Sequence, residues 1–361
     1  MQRRHTVRGV GLLVTTLTTA LVLSSCSEPE APEDDAPAED AGSDGEETTG
    51  AEEAGEASGP ITLYTSEPQE KIDEVIAAFN EEHPDVTVEV FRAGTGDLNA
   101  RIASELETGE VAADVLLAAD APTFEGYKEQ DLLAEYTPAD ADALLEEVVD
   151  PDGFYVGTRI IPTVIAYNTG AIDTPPGSWQ ELTDEQYSGQ LVMPNPDVSG
   201  AAAFNAAVWL LTDSLGEDWI RALGENDVLV AESNGPTSQA IADGSRPVGV
   251  VVDYLVRDLA AAGSPIEAAY PSEGVPYIAQ PVGIFASTDN EGGAQAFVDF
   301  LVSEQGQTLA VEQNYLPVRA DVGTPDGAPT MADLTLLDVP LEQVQAEQDA
   351  AVQLFKEAVL P

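Results

Sequence analysis

The chain has 361 residues, more than one compact core usually holds, so two domains of ordinary size are expected. Its 66 Asp and Glu outweigh 13 Lys and Arg to give a formal charge of −53, which excludes a general attraction to DNA or RNA. A single cysteine excludes an intrachain disulfide and a cysteine metal cluster.

The chain opens with MQRRHTVRGVGLLVTTLTTALVLSSC, in which Arg3, Arg4 and Arg8 precede an apolar stretch from Val10 to Leu23. That stretch is too short for an ordinary membrane span and reads as an export signal. The run Leu23-Ser24-Ser25-Cys26 resembles the bacterial lipobox, which implies a lipidated Cys26 as mature N-terminus, tethered to the outer face of a bacterial membrane. Residues 27–60 contain 13 acidic residues and no basic or large apolar ones, so they cannot bury enough surface to fold and form a disordered acidic tether. The remaining acidic surplus reads as a solvated surface suited to high salt, with a docking face as the alternative.

From Ile61 short strands and helices alternate. ITLYT is a strand, EKIDEVIAAFNEEHP a helix with Ile72, Val75, Ile76 and Phe79 on one face and a stop at Pro84, and VTVEVFRAG a strand. DLNARIASELETG (helix), ADVLLAAD (strand) and TFEGYKEQDLL (helix) repeat the β-α-β pattern, implying a parallel sheet whose loops at the strand C-terminal ends line a ligand crevice. IIPTVIAYN starts a second series with GQLVMPNP, a helix from Gly200, VLVAESN, a helix from Thr237, and PVGVVVDYL, which makes a second lobe. QPVGIFAST and GGAQAFVDFLVSEQGQTLAVEQ form a further strand and helix, whose lobe the pattern alone leaves open. GTPDGAPT then marks a break before a C-terminal helix near 340–358.

ITLYTSEPQEKIDEVIAAFNEEHPDVTVEV, RAGTGDLNARIASE, ADVLLAADAPTFEGYKEQDLLAEY, SGAAAFNAAV and AQAFVDFLVSEQGQTLAVEQNYLPVRADV, in that order, resemble the solute-binding proteins of bacterial ABC importers. The nearest group holds the ferric-ion-binding proteins and their relatives that bind hexose phosphates or phosphonates, and the resemblance spans residues 61–325. It implies an α/β fold of the two-lobed type II periplasmic-binding-protein kind, with a hinged cleft between the lobes, no cofactor, and a monomer whose closed form is recognised by a permease and its ATPase. On this reading residues 1–26 are the signal, 27–60 the tether, 61–160 with 280–325 the first lobe, 161–279 the second lobe, and 326–361 a C-terminal helical extension.

Ferric members hold iron with two adjacent tyrosines, a histidine and a carboxylate, because hard Fe(III) prefers such oxygen donors. Here Tyr254 remains but its neighbour is Leu255, Pro68 stands at the histidine position, and the acidic position falls near Ala119, where Asp120 could substitute. A ferric site would therefore rest on Tyr254 and Asp120. The anion side of the family site stands unchanged as Ser199-Gly200-Ala201. The first N–H groups of a helix lack intrahelical partners and carry partial positive charge, so this start can hold phosphate or phosphonate oxygens, with Gly200 admitting the anion and Ser199 adding a hydroxyl. The alternative is an ordinary N-cap. Salt screens the global negative field beyond roughly 8 Å, whereas N–H contacts act at about 3 Å.

Further candidates come from loop positions. Thr95 and Gly96 in AGTGD could present a hydroxyl and N–H groups, although the loop lacks the Walker lysine and a capping turn is the alternative. Ser66 occupies the first strand-to-helix turn, and Asn234 in ESNGPTSQ could donate its amide or serve a plain turn. Asp253 and Tyr254 end the apolar strand VGVVVDYL, where a buried carboxylate needs a partner. That partner is either a sugar hydroxyl or amine of the ligand or an internal group at the hinge. Glu273 and Tyr277 lie near the second crossover, and Trp179, Trp209 and Trp219 sit among apolar helical neighbours as core. No usable histidine, G-x-S-x-G or S-x-x-K motif supports an enzyme. A sensor for a membrane signalling partner is the alternative that the same fold allows.

Overall fold

The computed structural model describes residues 57–360; the export signal, Cys26 and most of the acidic tether lie outside them. β1 (Gly59–Thr65) buries Ile61, Leu63 and Tyr64. α1 (Gln69–Glu82) buries Ile72, Val75 and Phe79, the three- and four-residue spacing of a helix face, and stops at His83 because the residue before a proline avoids the helical region. β2 (Val86–Arg92), α2 (Thr95–Thr108), β3 (Val115–Leu117) and α3 (Ala121–Lys128) complete the first run. α2 starts at Thr95, ahead of the expected Asp97, because Gly94 in extended conformation serves as its cap.

β4 (Val156–Gly157) leads through Thr158–Ile160 into β5 (Ile161–Asn168) of a second sheet. There follow β6 (Leu191–Pro194), α4 (Gly200–Leu211), α5 (Gly216–Glu225), β7 (Leu229–Ala231), α6 (Asn234–Ala242), β8 (Val248–Val252), α7 (Asp253–Ala261) and β9 (Ile266–Ala269). β10 (Tyr277–Ile278) crosses back through Ala279 and Gln280 to β11 (Pro281–Ile284), and α8 (Glu291–Val302), α9 (Glu304–Glu312) and α10 (Leu341–Val359) close the chain.

The first sheet has the order β2-β1-β3-β11-β4 and the second β10-β5-β8-β6-β7, with β9 also on β5. The first sheet is not wholly parallel as the repeated β-α-β pattern implied. β11 returns from the second sheet and runs antiparallel to β3 and β4. The helix expected over GGAQAFVDFLVSEQGQTLAVEQ is two helices, because Ser303 is extended and its hydroxyl caps Gly306. Asp253 does not end a strand: β8 stops at Val252 and Asp253 opens α7, where an acid suits the positive helix end and Arg257 stands one turn on.

Each sheet has its own core. Phe79 of α1 meets Phe297 and Phe300 of α8 edge-on at 5.2 and 5.6 Å against one face of the first sheet, while Leu98, Ile102 and Phe124 pack its other face. In the second lobe Trp179, Trp209 and Trp219 pack on one another with ring centres 5.4–6.5 Å apart, and Val344, Ala351 and Phe355 of α10 join them. The tryptophans are core, and α10 is part of that core. No described helix is long and apolar enough to cross a membrane.

Candidate functional site

A cavity of about 390 Å³ lies where the strand ends of the two sheets face each other. The first lobe lines it with Ser66, Glu67, Pro68, Arg92, Gly94, Thr95 and Ala119, the second with Val198–Ala201, Ser233–Pro236, Val252, Tyr254 and Leu255, and the crossings with Ile161, Ile278 and Gln280. The N-cap residues of α1, α2, α4, α6 and α7 (Pro68, Gly94, Ser199, Ser233 and Val252) are all in this lining. Parallel strands that feed helices put helix N-termini at the strand C-terminal ends, so five partial positive charges converge on the cavity.

Only Ser199 of these five caps its helix with a side chain: its Oγ accepts from the Ala202 N–H at 3.2 Å and from Asn234 Nδ2 at 2.9 Å, joining α4 to α6. The first intrahelical bond of α4 runs from the Ala203 N–H to the Ser199 carbonyl at 3.0 Å, so the N–H groups of Gly200 and Ala201 precede it and have no intrahelical acceptor. The bare Cα of Gly200 serves a purpose different from anion approach. A methyl group there would overlap the Ala119 carbonyl and stand 2.8 Å from Thr95 Oγ1, both of the opposite lobe. At Gly96 a methyl group would overlap the Asp197 carbonyl, and the Gly96 N–H donates to the Val198 carbonyl at 3.4 Å. At these two glycines the lobes meet backbone against backbone.

Behind this contact is an ionic network that sequence reading missed. Glu67, 2% exposed, accepts from Arg159 Nη1 at 2.9 Å, Gln280 Nε2 at 2.7 Å and the Tyr315 hydroxyl at 3.0 Å. Arg159 and Gln280 belong to the two crossings between the sheets, so a residue of the cavity wall is tied to both hinge segments. Tyr254 packs on Tyr315 with ring centres 4.4 Å apart, and Lys71 Nζ stands 5.2 and 5.1 Å from the two rings while pairing with Asp258 of α7 at 3.0 Å. Burial, and then the Glu67 charge, push both phenols up, so neither ionises readily. These residues are dispersed along the chain; the only local signals were an arginine within GTRIIP and a tyrosine within NYLPVR, each in an apolar run.

Of the sequence candidates, the cavity brings together Ser66, Thr95, Ser199, Gly200, Ala201, Asn234 and Tyr254. Gly96 makes the lobe contact instead. Asp120 and Asp253 are also outside the lining. Asp253 is fully buried and pairs with Arg257 at 2.7 Å, so its partner is internal, and burial pushes its carboxyl up to about 6. Asp120 accepts from Thr123 Oγ1 at 3.1 Å and from Gln348 Nε2 of α10 at 3.0 Å, and burial pushes it up to about 7. Glu273 accepts from the Gln180 N–H at 3.3 Å; neither it nor Tyr277 reaches the cavity. Among the described residues no group of three or more His, Cys, Asp or Glu is placed to hold a metal ion.

Two α/β lobes, joined by two crossing segments around a cavity of apolar walls and convergent polar groups, define a binding protein of the type II periplasmic kind. Residues 74–335 match the family of bacterial extracellular solute-binding proteins, and the chain belongs to that family. It is 24% identical over 343 residues to iron uptake protein A1 of Synechocystis, with 88% of each chain covered. It is 25% identical over 292 residues to a Salmonella typhimurium periplasmic protein assigned to 2-aminoethylphosphonate binding, covering 74% of this chain and 80% of the relative. Among solved structures, AfuA of Actinobacillus pleuropneumoniae with exogenous fructose-6-phosphate bound superposes with a TM-score of 0.76 at 22% identity, over 83% of this chain and 98% of that one, a likeness of fold.

Proposed function

We propose that the chain captures a small organic phosphate or phosphonate for an ABC importer, anchored outside the membrane through Cys26. One observation carries the reading: five helix N-termini converge on one cavity in a chain of formal charge −53. Negative charge is abundant across the chain, and the one carboxylate in the lining, Glu67, is paired with Arg159, so a cleft lined by backbone donors fits an anion whose oxygens accept those bonds. The volume of about 390 Å³ is within the range of small-molecule sites and far exceeds what a bare cation fills. The anionic group sits at the start of α4 with Ser199, Gly200 and Ala201, Thr95 and Ser66 face it from the first lobe, and Asn234 and Tyr254 contact the remainder. Closure through Gly96 and Gly200 then stabilises the form that docks on the permease and its ATPase.

Ferric ion is the second reading, favoured by the phenols of Tyr254 and Tyr315 beside the Glu67 carboxylate. Against it, Arg159 already neutralises Glu67, Lys71 adds a second cation, and burial disfavours both phenolates. Mass spectrometry of the small molecule released from protein purified from its native source, with metal analysis, decides between them. One equivalent of an organic phosphorus compound is expected; one iron per chain with no organic phosphate overturns the reading.

A further inference from the structure

Residues 57–360 contain ten lysines and arginines. Nine of them stand in ion pairs with Asp or Glu, as the acidic excess makes almost unavoidable. The tenth, Arg92, has no acidic partner among the described residues, and it lines the cavity. It ends β2, at the strand terminus from which the chain turns toward α2. Its Nε donates to the Glu67 carbonyl oxygen at 2.8 Å, a bond that orients the guanidinium and uses none of its Nη hydrogens. Arg159, the other arginine near the cleft, is held by the Glu67 carboxylate and is 2% exposed, whereas Arg92 is exposed.

We propose that Arg92 is the residue that sets ligand charge: its Nη hydrogens hold the anionic group from the first lobe while the start of α4 holds it from the second, selecting doubly charged phosphate monoesters and phosphonates over singly charged carboxylates. The inference rests on the phosphate reading above and adds to it the side chain that reads charge. A planar guanidinium pairs two N–H groups with two oxygens of such a group, and its full positive charge gains most from a dianion. The helix starts supply only partial charges and would accept a carboxylate comparably. Cleft closure also joins the two halves of the anion site, because Arg92 and α4 belong to different lobes.

The test is calorimetry on the folded, ligand-stripped chain with glucose 6-phosphate, 2-aminoethylphosphonate, inorganic phosphate and gluconate. The wild type is expected to bind at least one phosphorus-containing probe. Arg92→Gln should weaken that probe by about 10- to 100-fold, the range for losing a charge-assisted pair, and weaken gluconate, if it binds, by a clearly smaller factor. Because a phosphate gains its second charge near pH 6, wild-type affinity should rise from pH 5 to 8 and the variant's should not. Arg92→Lys keeps the charge without the fork and should fall between the two. An unchanged melting temperature of ligand-free Arg92→Gln separates ligand reading from support of the Glu67 loop. If Arg92→Gln binds the phosphorus probe as tightly as wild type with the same pH profile, this inference fails alone. If the wild type binds none of the three phosphorus-containing probes, the phosphate reading fails and takes the inference with it.

Discussion

On the first-lobe side of the cavity the Glu67 carboxylate is answered by Arg159, Gln280 and Tyr315 at 2.7–3.0 Å, so its charge is satisfied within the protein. Across the cleft the starts of α4 and α6 present N–H groups whose acceptors the helices do not provide. Glu67 and these helix starts line one cavity, but the carboxylate has its partners inside the protein, whereas the helix starts, like the Nη hydrogens of Arg92, leave donors without an intrahelical or acidic partner. Buried charge that is fully paired reports architecture; donors left over at a cavity report what the cavity holds.

The largest effect comes from breaking the satisfied side. Arg159→Met leaves Glu67 buried without its cation and should cost about 3–5 kcal/mol, seen as a fall in melting temperature of roughly 10 °C. Adding Glu67→Leu should restore much of the loss, and a single variant as stable as wild type would show the network to be dispensable. Gly96→Val puts a side chain into the Asp197 backbone across the cleft. It should leave the ligand-free melting temperature near wild type but weaken ligand binding by about 10- to 100-fold, and abolish ligand-induced compaction in small-angle scattering. Ser199→Ala removes a cap and the acceptor of Asn234, with about 1 kcal/mol of stability lost in chemical denaturation.

Asp120 sharpens the comparison through pH. With its carboxyl pushed up to about 7, the folded chain keeps a proton that the unfolded chain releases above about pH 4. Its stabilising contribution is therefore full below pH 4 and lost as pH climbs through 7. The stability difference between wild type and Asp120→Asn should fall across that window and stay level above it; a flat difference would mean that the carboxyl titrates normally. The smallest effect is expected at Arg221, whose exposed pair with Glu217 should contribute less than about 0.5 kcal/mol, so Arg221→Ala serves as the control for Arg92.

Local pattern made much of the framework legible. The α1 face, the alternation of strands and helices, and the Ser199 helix start all follow from spacing within a few residues. Where the reading failed, competing local rules or distance explain it. VGVVVDYL is a plausible strand to its end, and only the Arg257 partner four residues on favours opening a helix at Asp253. The Glu67 network joins residues 67, 159, 280 and 315, far apart in the chain, and no local pattern links them. Arg92 carries no local signal: what distinguishes it is the lack of an acidic partner among the described residues, a property defined only by the folded arrangement of the other nine cations.

Beside the cavity the two lobes meet through main-chain atoms at Gly96, Asp197, Val198, Ala119 and Gly200, and farther from it through the Lys71–Asp258 and Gln348–Asp120 side chains. Bare glycine Cα atoms let the two backbones come this near, so bulk added at either position acts on the spacing of the lobes. On the proposed reading, a change at Ser66, which lines the cavity and takes part in neither glycine contact, would alter the solute and leave that spacing as it is.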